Sequence, residues 1–302
     1  MRAFVQRREL LLGLAALPAA ARIAVAETYP LRPVRILVAT SAGGGTDLVA
    51  RFIAIGTEMA ARSPADGYTL FMANTVNTIN NSLYQKLNYN FIADFAPVAN
   101  VMGTPLLVLV HPSVAAKNAA ELIALAKASP GKLNLASGGV GSTGHMSAEL
   151  FQMMAGIKFT HVPYRGEAPA LTDLIAGQAE LMVSTTGSSL QYARAGTVRA
   201  LATTTDDRVA ELPDVPPLSK TLPGYRANAW SGLCAPKGTP AEIITLLNEE
   251  VNLAMADAKI KERMSSLGGV ALPGSPEDYG RTIVADTATW AKVVQFSGAK
   301  AQ

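Results

Sequence analysis

Strand-like and helix-like segments alternate over most of this 302-residue chain, which predicts an α/β fold with parallel-type sheets and helices on both faces. Two glycine-rich loops sharpen that reading, because each follows a short apolar run and precedes a helix-like stretch. Hydrophobic residues make up 49% of the chain and charged residues 16%, so one large or two ordinary domains can each bury a core.

The elements follow in order. Val34-Arg35-Ile36-Leu37-Val38 reads as a strand and leads into Ser41-Ala42-Gly43-Gly44-Gly45-Thr46-Asp47. Asp47–Arg62 is predicted to form one continuous helix, a suitable crossover to the strand Tyr68-Thr69-Leu70-Phe71-Met72. Leu106-Leu107-Val108-Leu109-Val110 opens a second run of strands. Asn118-Ala119-Ala120-Glu121 has capping-box spacing before the helix Leu122-Ile123-Ala124-Leu125-Ala126-Lys127. Further strands are expected at 133–137, 159–162, 180–183 and 198–203, with helices at 145–155 and 168–176. Thr239-Pro240-Ala241-Glu242 combines an N-cap, a first-turn proline and a capping glutamate. Ile244, Leu247, Val251 and Ala254 then share one face, and Ser275-Pro276-Glu277-Asp278 starts the last helix.

The N-terminus reads as an export signal. Arg7-Arg8 directly precede the apolar Leu10-Leu11-Leu12-Gly13-Leu14, and Ala24-Val25-Ala26 offers small residues for cleavage after Ala26. The paired arginines point to the twin-arginine route. Residues 1–26 hold Arg2, Arg7, Arg8, Arg22 and Glu9; without them, basic and acidic groups balance at 22 each, against 26 and 23 in the whole chain. The small excess of positive charge thus belongs to the signal, and no nucleic-acid surface is expected. The single cysteine, Cys234, sits in Gly232-Leu233-Cys234-Ala235-Pro236 and is expected to be a buried thiol.

Chemistry concentrates in the two loops. A helix start leaves backbone N–H groups unpaired and carries a positive dipole end, so the Ala42–Asp47 loop is suited to a small carboxylate. The second loop, Ala136-Ser137-Gly138-Gly139-Val140-Gly141-Ser142-Thr143-Gly144-His145, matches G-x-G-x-x-G at Gly139, Gly141 and Gly144. A nucleotide-dependent soluble enzyme is therefore a rival reading. Against it, the next strand leads into His161-Val162-Pro163-Tyr164-Arg165-Gly166, and Glu167 falls after that turn where a ribose-binding acid is wanted earlier. The alternative is a second anion cradle with hydroxyls from Ser137, Ser142 and Thr143. His111, His145 and His161 show no metal-ligand spacing, and a Ser142–His145–Asp173 triad has no spacing to recommend it. No metal, no cofactor and no catalysis are expected.

Many ordered motifs, taken together, resemble the Bug-type (TctC-like) solute-binding proteins of tripartite tricarboxylate transport systems. They include Gly43-Gly44-Gly45-Thr46-Asp47, Ala65-Asp66-Gly67-Tyr68-Thr69-Leu70, Asp94-Phe95-Ala96-Pro97-Val98, Pro130-Gly131-Lys132-Leu133-Asn134 and His161-Val162-Pro163-Tyr164-Arg165-Gly166. Leu212-Pro213-Asp214-Val215-Pro216 and Ala235-Pro236-Lys237-Gly238-Thr239-Pro240 continue the series. The resemblance implies a two-lobed periplasmic-binding-protein (type II) fold, with residues 27–105 plus 234–302 as domain one and 106–233 as domain two. It also implies a monomeric receptor that carries a small carboxylated solute to membrane components of a transporter, or to a signalling protein as a sensor. Carried over, the ligand-binding candidates are Ala42, Gly43, Gly44, Thr46 and Asp47, then Asn74, Thr75 and Asn77. Ser137, Gly138, Ser142, Thr143, His145, Tyr164 and Ser184 face them.

Two departures stand out. Ser184-Thr185-Thr186 replaces the family's usual Asp or Asn pair, which argues against amine-bearing ligands. After Ala54 the chain runs straight into Ile55-Gly56-Thr57-Glu58, so a family strand and loop are missing. An edge strand lost from the first lobe is expected to leave apolar surface bare and to impair binding.

Overall fold

A computed structural model describes residues 29–38 and 46–301, with side chains at all of them except 46–52. The proposed signal, residues 1–26, and the loop residues Ala42, Gly43 and Gly44 lie outside the described residues, as do the side chains of Thr46 and Asp47. In the N-terminal unit, residues 1–32, the Tyr29–Pro30 peptide bond is cis. Residues 33–302 form the other compact unit, and it contains two five-stranded sheets.

The first sheet has the order β1-β2-β9-β3-β10. Its strands are β1 (Arg35–Val38), β2 (Thr69–Asn74), β3 (Phe95–Thr104), β9 (Ala229–Pro236) and β10 (Val270–Ala271). The second sheet has the order β6-β5-β7-β4-β8, from β4 (Leu106–Val110), β5 (Asn134–Ser137), β6 (Thr160–Pro163), β7 (Leu181–Thr185) and β8 (Arg199–Thr203). The nine described helices are α1 (Thr46–Ala61), α2 (Thr75–Leu83), α3 (Ala119–Ala128), α4 (Thr143–Ala155), α5 (Glu167–Ile175), α6 (Thr186–Arg194), α7 (Ala241–Ala256), α8 (Ala258–Ser266) and α9 (Pro276–Ser297). The α/β class holds, but the sheets are mixed and not parallel throughout. β9 runs antiparallel to β2 and β3, and β4 runs antiparallel to β7 and β8.

Alternation within the strands explains why both faces of each sheet are apolar. On β4, Leu106, Val108 and Val110 join Leu122 of α3 and Phe151 of α4, while Leu107 and Leu109 join Leu171 and Leu174 of α5. On β2, Phe71 packs with Ile53 of α1 and Ile283 of α9, whereas Leu70 faces Ile244, Leu247 and Val251 of α7. Strands covered on both faces read as unbroken apolar runs, as β4 does.

Helix starts follow the sequence signals with one exception. Ser275 and Asp278 form a capping box with Pro276 at the first position of α9. Asn118 caps α3 through the Glu121 N–H, and the Glu121 carboxylate accepts from the Lys117 N–H at 2.7 Å. Thr239 does not cap α7. Its hydroxyl donates to Pro236 O at 2.8 Å, closing the preceding turn, and Pro240 stands at the N-cap.

The chain passes between the lobes at two places that are bonded to each other. Pro105 alone separates β3 from β4, and the return lies between β8 and β9. The Leu106 N–H donates to the Thr204 hydroxyl at 3.0 Å, the Thr204 N–H to Leu106 O at 3.0 Å, and the Ala227 N–H to Thr204 O at 2.9 Å. β9 pairs with β3 of the first sheet from Ala229 to Pro236. Helix α9 joins the lobes as well. Tyr279 and Ile283 lie in the first-lobe core, and Trp290, Val293 and Val294 lie in a cluster with second-lobe residues.

Among the described residues, the first lobe ends bare on one side. Helix α1 runs unbroken from Thr46 to Ala61 between β1 and β2, and β1 stands at the edge of the described sheet. Ile36 and Val38 on β1 are 46% and 57% exposed, and Ile55 and Met59 on α1 are 53% and 59% exposed.

Candidate functional site

The second-lobe part of the site is built where β5, β6 and β7 end. Ser137 closes β5, and residues 138–142 lead to α4. Gly141 adopts φ 78° and packs on Leu83 of α2, and a Cβ on Gly144 would lie 2.2 Å from the carbonyl oxygen of Val183. Backbone conformation and close packing onto β7 therefore account for these glycines without a dinucleotide.

Hydrogen bonds within the loop fix its polar side chains. Ser137 is buried, and its Oγ lies 2.6 Å from His161 Nε2 and accepts from the Gly139 N–H at 3.1 Å. His145 Nδ1 accepts from the Gly141 N–H at 3.2 Å, and its Nε2 lies 3.6 Å from Glu149 Oε1. The His145 and His161 rings stack at 3.8 Å. Burial, and then the neighbouring His145, push the His161 pKa down to about 3. The contact between Ser137 and His161 ties the β5–α4 loop to β6.

The imagined Ser142–His145–Asp173 triad does not form. Ser142 caps α4, its Oγ accepting from the His145 backbone N–H at 3.3 Å. The Asp173 carboxylate accepts from the Tyr164 hydroxyl at 2.8 Å, and burial together with that carboxylate raises the Tyr164 pKa. Thr143, the first residue of α4, is half-buried. Among the described residues no group of three or more His, Cys, Asp and Glu could hold a metal ion.

Glu167 organises the third helix start. Its Oε1 accepts from the Ser184 hydroxyl at 2.7 Å, the Thr185 N–H at 2.7 Å and the Thr185 hydroxyl at 3.2 Å. Its Oε2 accepts from Thr185 Oγ1 at 3.1 Å and Ser188 Oγ at 3.0 Å. The sequence reading weighed Glu167 only as a ribose-binding acid, a role these contacts take away. The carboxylate missed at 184–186 is instead supplied across the fold by Glu167, and no local signal announces a contact made over 17 residues.

In the first lobe, Asn74, Thr75 and Asn77 hold the start of α2. Asn74 Oδ1 accepts from the Val76 N–H and Asn77 Oδ1 from the Asn74 N–H, both at 2.9 Å. Asn77 Nδ2 also donates to Thr57 Oγ1 of α1 at 3.0 Å, and Asn77 is fully buried. Thr75 Oγ1 accepts from the Trp230 N–H at 2.9 Å, tying the turn to the returning crossover. Asn77 and Ser184 are both fully buried.

A profile described as "Tripartite tricarboxylate transporter family receptor" matches residues 41–298. The chain belongs to this family. It is 32% identical to Protein BugT of Bordetella pertussis, over 91% of this chain and 92% of BugT. A structure titled R. palustris Rpa4515 with adipate matches with a TM-score of 0.76 and 33% identity, covering 89% of this chain and 98% of that one. MatC (Rpa3494) from Rhodopseudomonas palustris with bound malate matches with a TM-score of 0.71 and 28% identity, covering 88% and 100%. The BugT comparison runs over 300 positions but takes in 91% of these 302 residues, about 275, so roughly 25 positions of BugT have no counterpart here. A shortened first lobe, with β1 left as its edge, fits that deficit.

Proposed function

We propose that this chain is a non-enzymatic, monomeric, extracytoplasmic receptor that holds a small carboxylate between its lobes and delivers it to a tripartite tricarboxylate transporter. The family assignment carries this reading, and relatives solved with adipate and malate support the ligand class. The Ala42–Asp47 loop holds the acid from the first lobe. The Gly138–Thr143 main chain and the Thr143 and Tyr164 side chains hold it from the second. Helix-start N–H groups of this kind bind carboxylates without a dedicated arginine. Export through the twin-arginine signal, with cleavage after Ala26, places the chain in the periplasm. Among the described residues no helix is long and apolar enough to cross a membrane.

A thermal-shift screen of the chain from residue 27 against organic acids and nucleotides tests this reading. Stabilisation by one or more small carboxylates is expected. Stabilisation by nicotinamide dinucleotides alone would establish the enzyme reading in its place. Detection of a stable complex with a membrane transporter subunit, as against a sensor kinase, separates transport from signalling.

A further inference from the structure

The turn that opens α6 is a finished carboxylate site, and the protein fills it itself. Three hydroxyls and one backbone N–H, from Ser184, Thr185 and Ser188, converge on the Glu167 carboxylate at 2.7–3.2 Å. Both oxygens are used, Oε1 by three donors and Oε2 by two. The turn adjoins the β5–α4 loop on both sides. A Cβ on Gly138 would lie 3.1 Å from the Glu167 N, and one on Gly144 would meet the Val183 carbonyl oxygen. An acid cradled by the β5–α4 loop is therefore next to a fixed negative charge whose donors are already engaged.

We propose that Glu167 is a specificity-determining residue: it occupies the carboxylate site at the β7–α6 turn, so the receptor accepts acids with one carboxylate and rejects those placing a second one there. This rests on the carboxylate-receptor reading above. A second ligand carboxylate at that turn finds no free donor and faces a like charge, whereas an uncharged chain end meets neither obstacle. Removing the Glu167 side chain leaves four donors directed at an empty place of carboxylate size. The chain would then take a dicarboxylate, or a separate small carboxylate beside a monocarboxylate.

The test compares the natural chain with Glu167→Ala by calorimetric titration of hexanoate and adipate, which differ by one terminal carboxylate. Because each protein is judged by its own ratio of dissociation constants, a weakened first-lobe grip cancels. The natural chain is expected to prefer hexanoate, and Glu167→Ala to shift the ratio at least tenfold toward adipate. Acetate in the tens of millimolar, against chloride at equal ionic strength, should raise the melting temperature of Glu167→Ala more than that of the natural chain. Should alanine disturb folding, Glu167→Gln keeps the bulk without the charge and should shift the ratio the same way by less. An unchanged ratio with equal acetate effects in both proteins overturns the proposal. Absence of binding by any acid to either protein overturns the receptor reading, and the proposal with it.

Discussion

His161 shows how tertiary packing sets a role that local sequence does not announce. It lies inside β6 (Thr160–Pro163), in a segment legible as a strand, but the stacked His145 ring and the Ser137 partner 24 residues away come from tertiary packing. Its pKa of about 3 lies below the ordinary 6.5, so the folded state favours the neutral ring. The stability from that preference is full above pH 6.5 and is lost as pH falls from there toward 3. Melting temperature should accordingly drop more steeply between pH 6.5 and 4 in the natural chain than in His161→Gln, and parallel profiles would refute the assignment. Gly144 offers a second test. Its Cβ clash with Val183 O predicts that Gly144→Ala destabilises by about 1–3 kcal/mol in denaturant titrations, with or without any nucleotide. Cys234 is fully buried, and burial pushes its thiol up to about 12. It should resist iodoacetamide until the chain unfolds, and fast labelling of native protein would show the core to be open.

At the scale of elements, what the sequence disclosed depended on whether local signals act alone. β1, β2 and β4–β8 coincide with strand-like runs between turns and were legible, as were the Asn118 and Ser275 helix starts. β3 was not, because Pro97 and register shifts at 97/99 and 100/102 break its alternation. β9 was missed beside it, and with these two central strands went the antiparallel pairing that makes the first sheet mixed. Among the site residues, the loop glycines were visible from spacing; the Ser142 cap was not anticipated, nor was the engagement of Asn77 with Thr57 and of Ser184 with Glu167, whose partners lie far away in sequence. The uncovered β1 edge carries the clearest element-level prediction. A family-like strand and loop inserted between Ala54 and Ile55 should cover Ile36, Val38, Ile55 and Met59, raise the melting temperature and tighten ligand binding. Equal stability and affinity with and without the insert would mean that the shortened lobe is complete as it stands.

For the whole molecule, the family assignment makes the chain a solute-binding receptor. Two sheets are joined by crossovers bonded through Thr204 and strapped by α9, and in the second lobe β5 and β7 lead into helix starts that carry backbone N–H donors. Such donors bind an anion through fixed dipoles, and no bond needs to be made or broken. The central claim is that this region holds a small carboxylate gripped from both lobes. Calorimetric titration of the natural chain, Gly44→Leu and Ser142→Tyr with the acid that stabilises it most tests that claim directly. One-to-one binding by the natural chain, weakened at least ten- to a hundredfold in each folded variant, is the predicted result, as loss of a charge-assisted hydrogen bond requires. Unchanged affinity in both variants would place the ligand elsewhere and contradict the account.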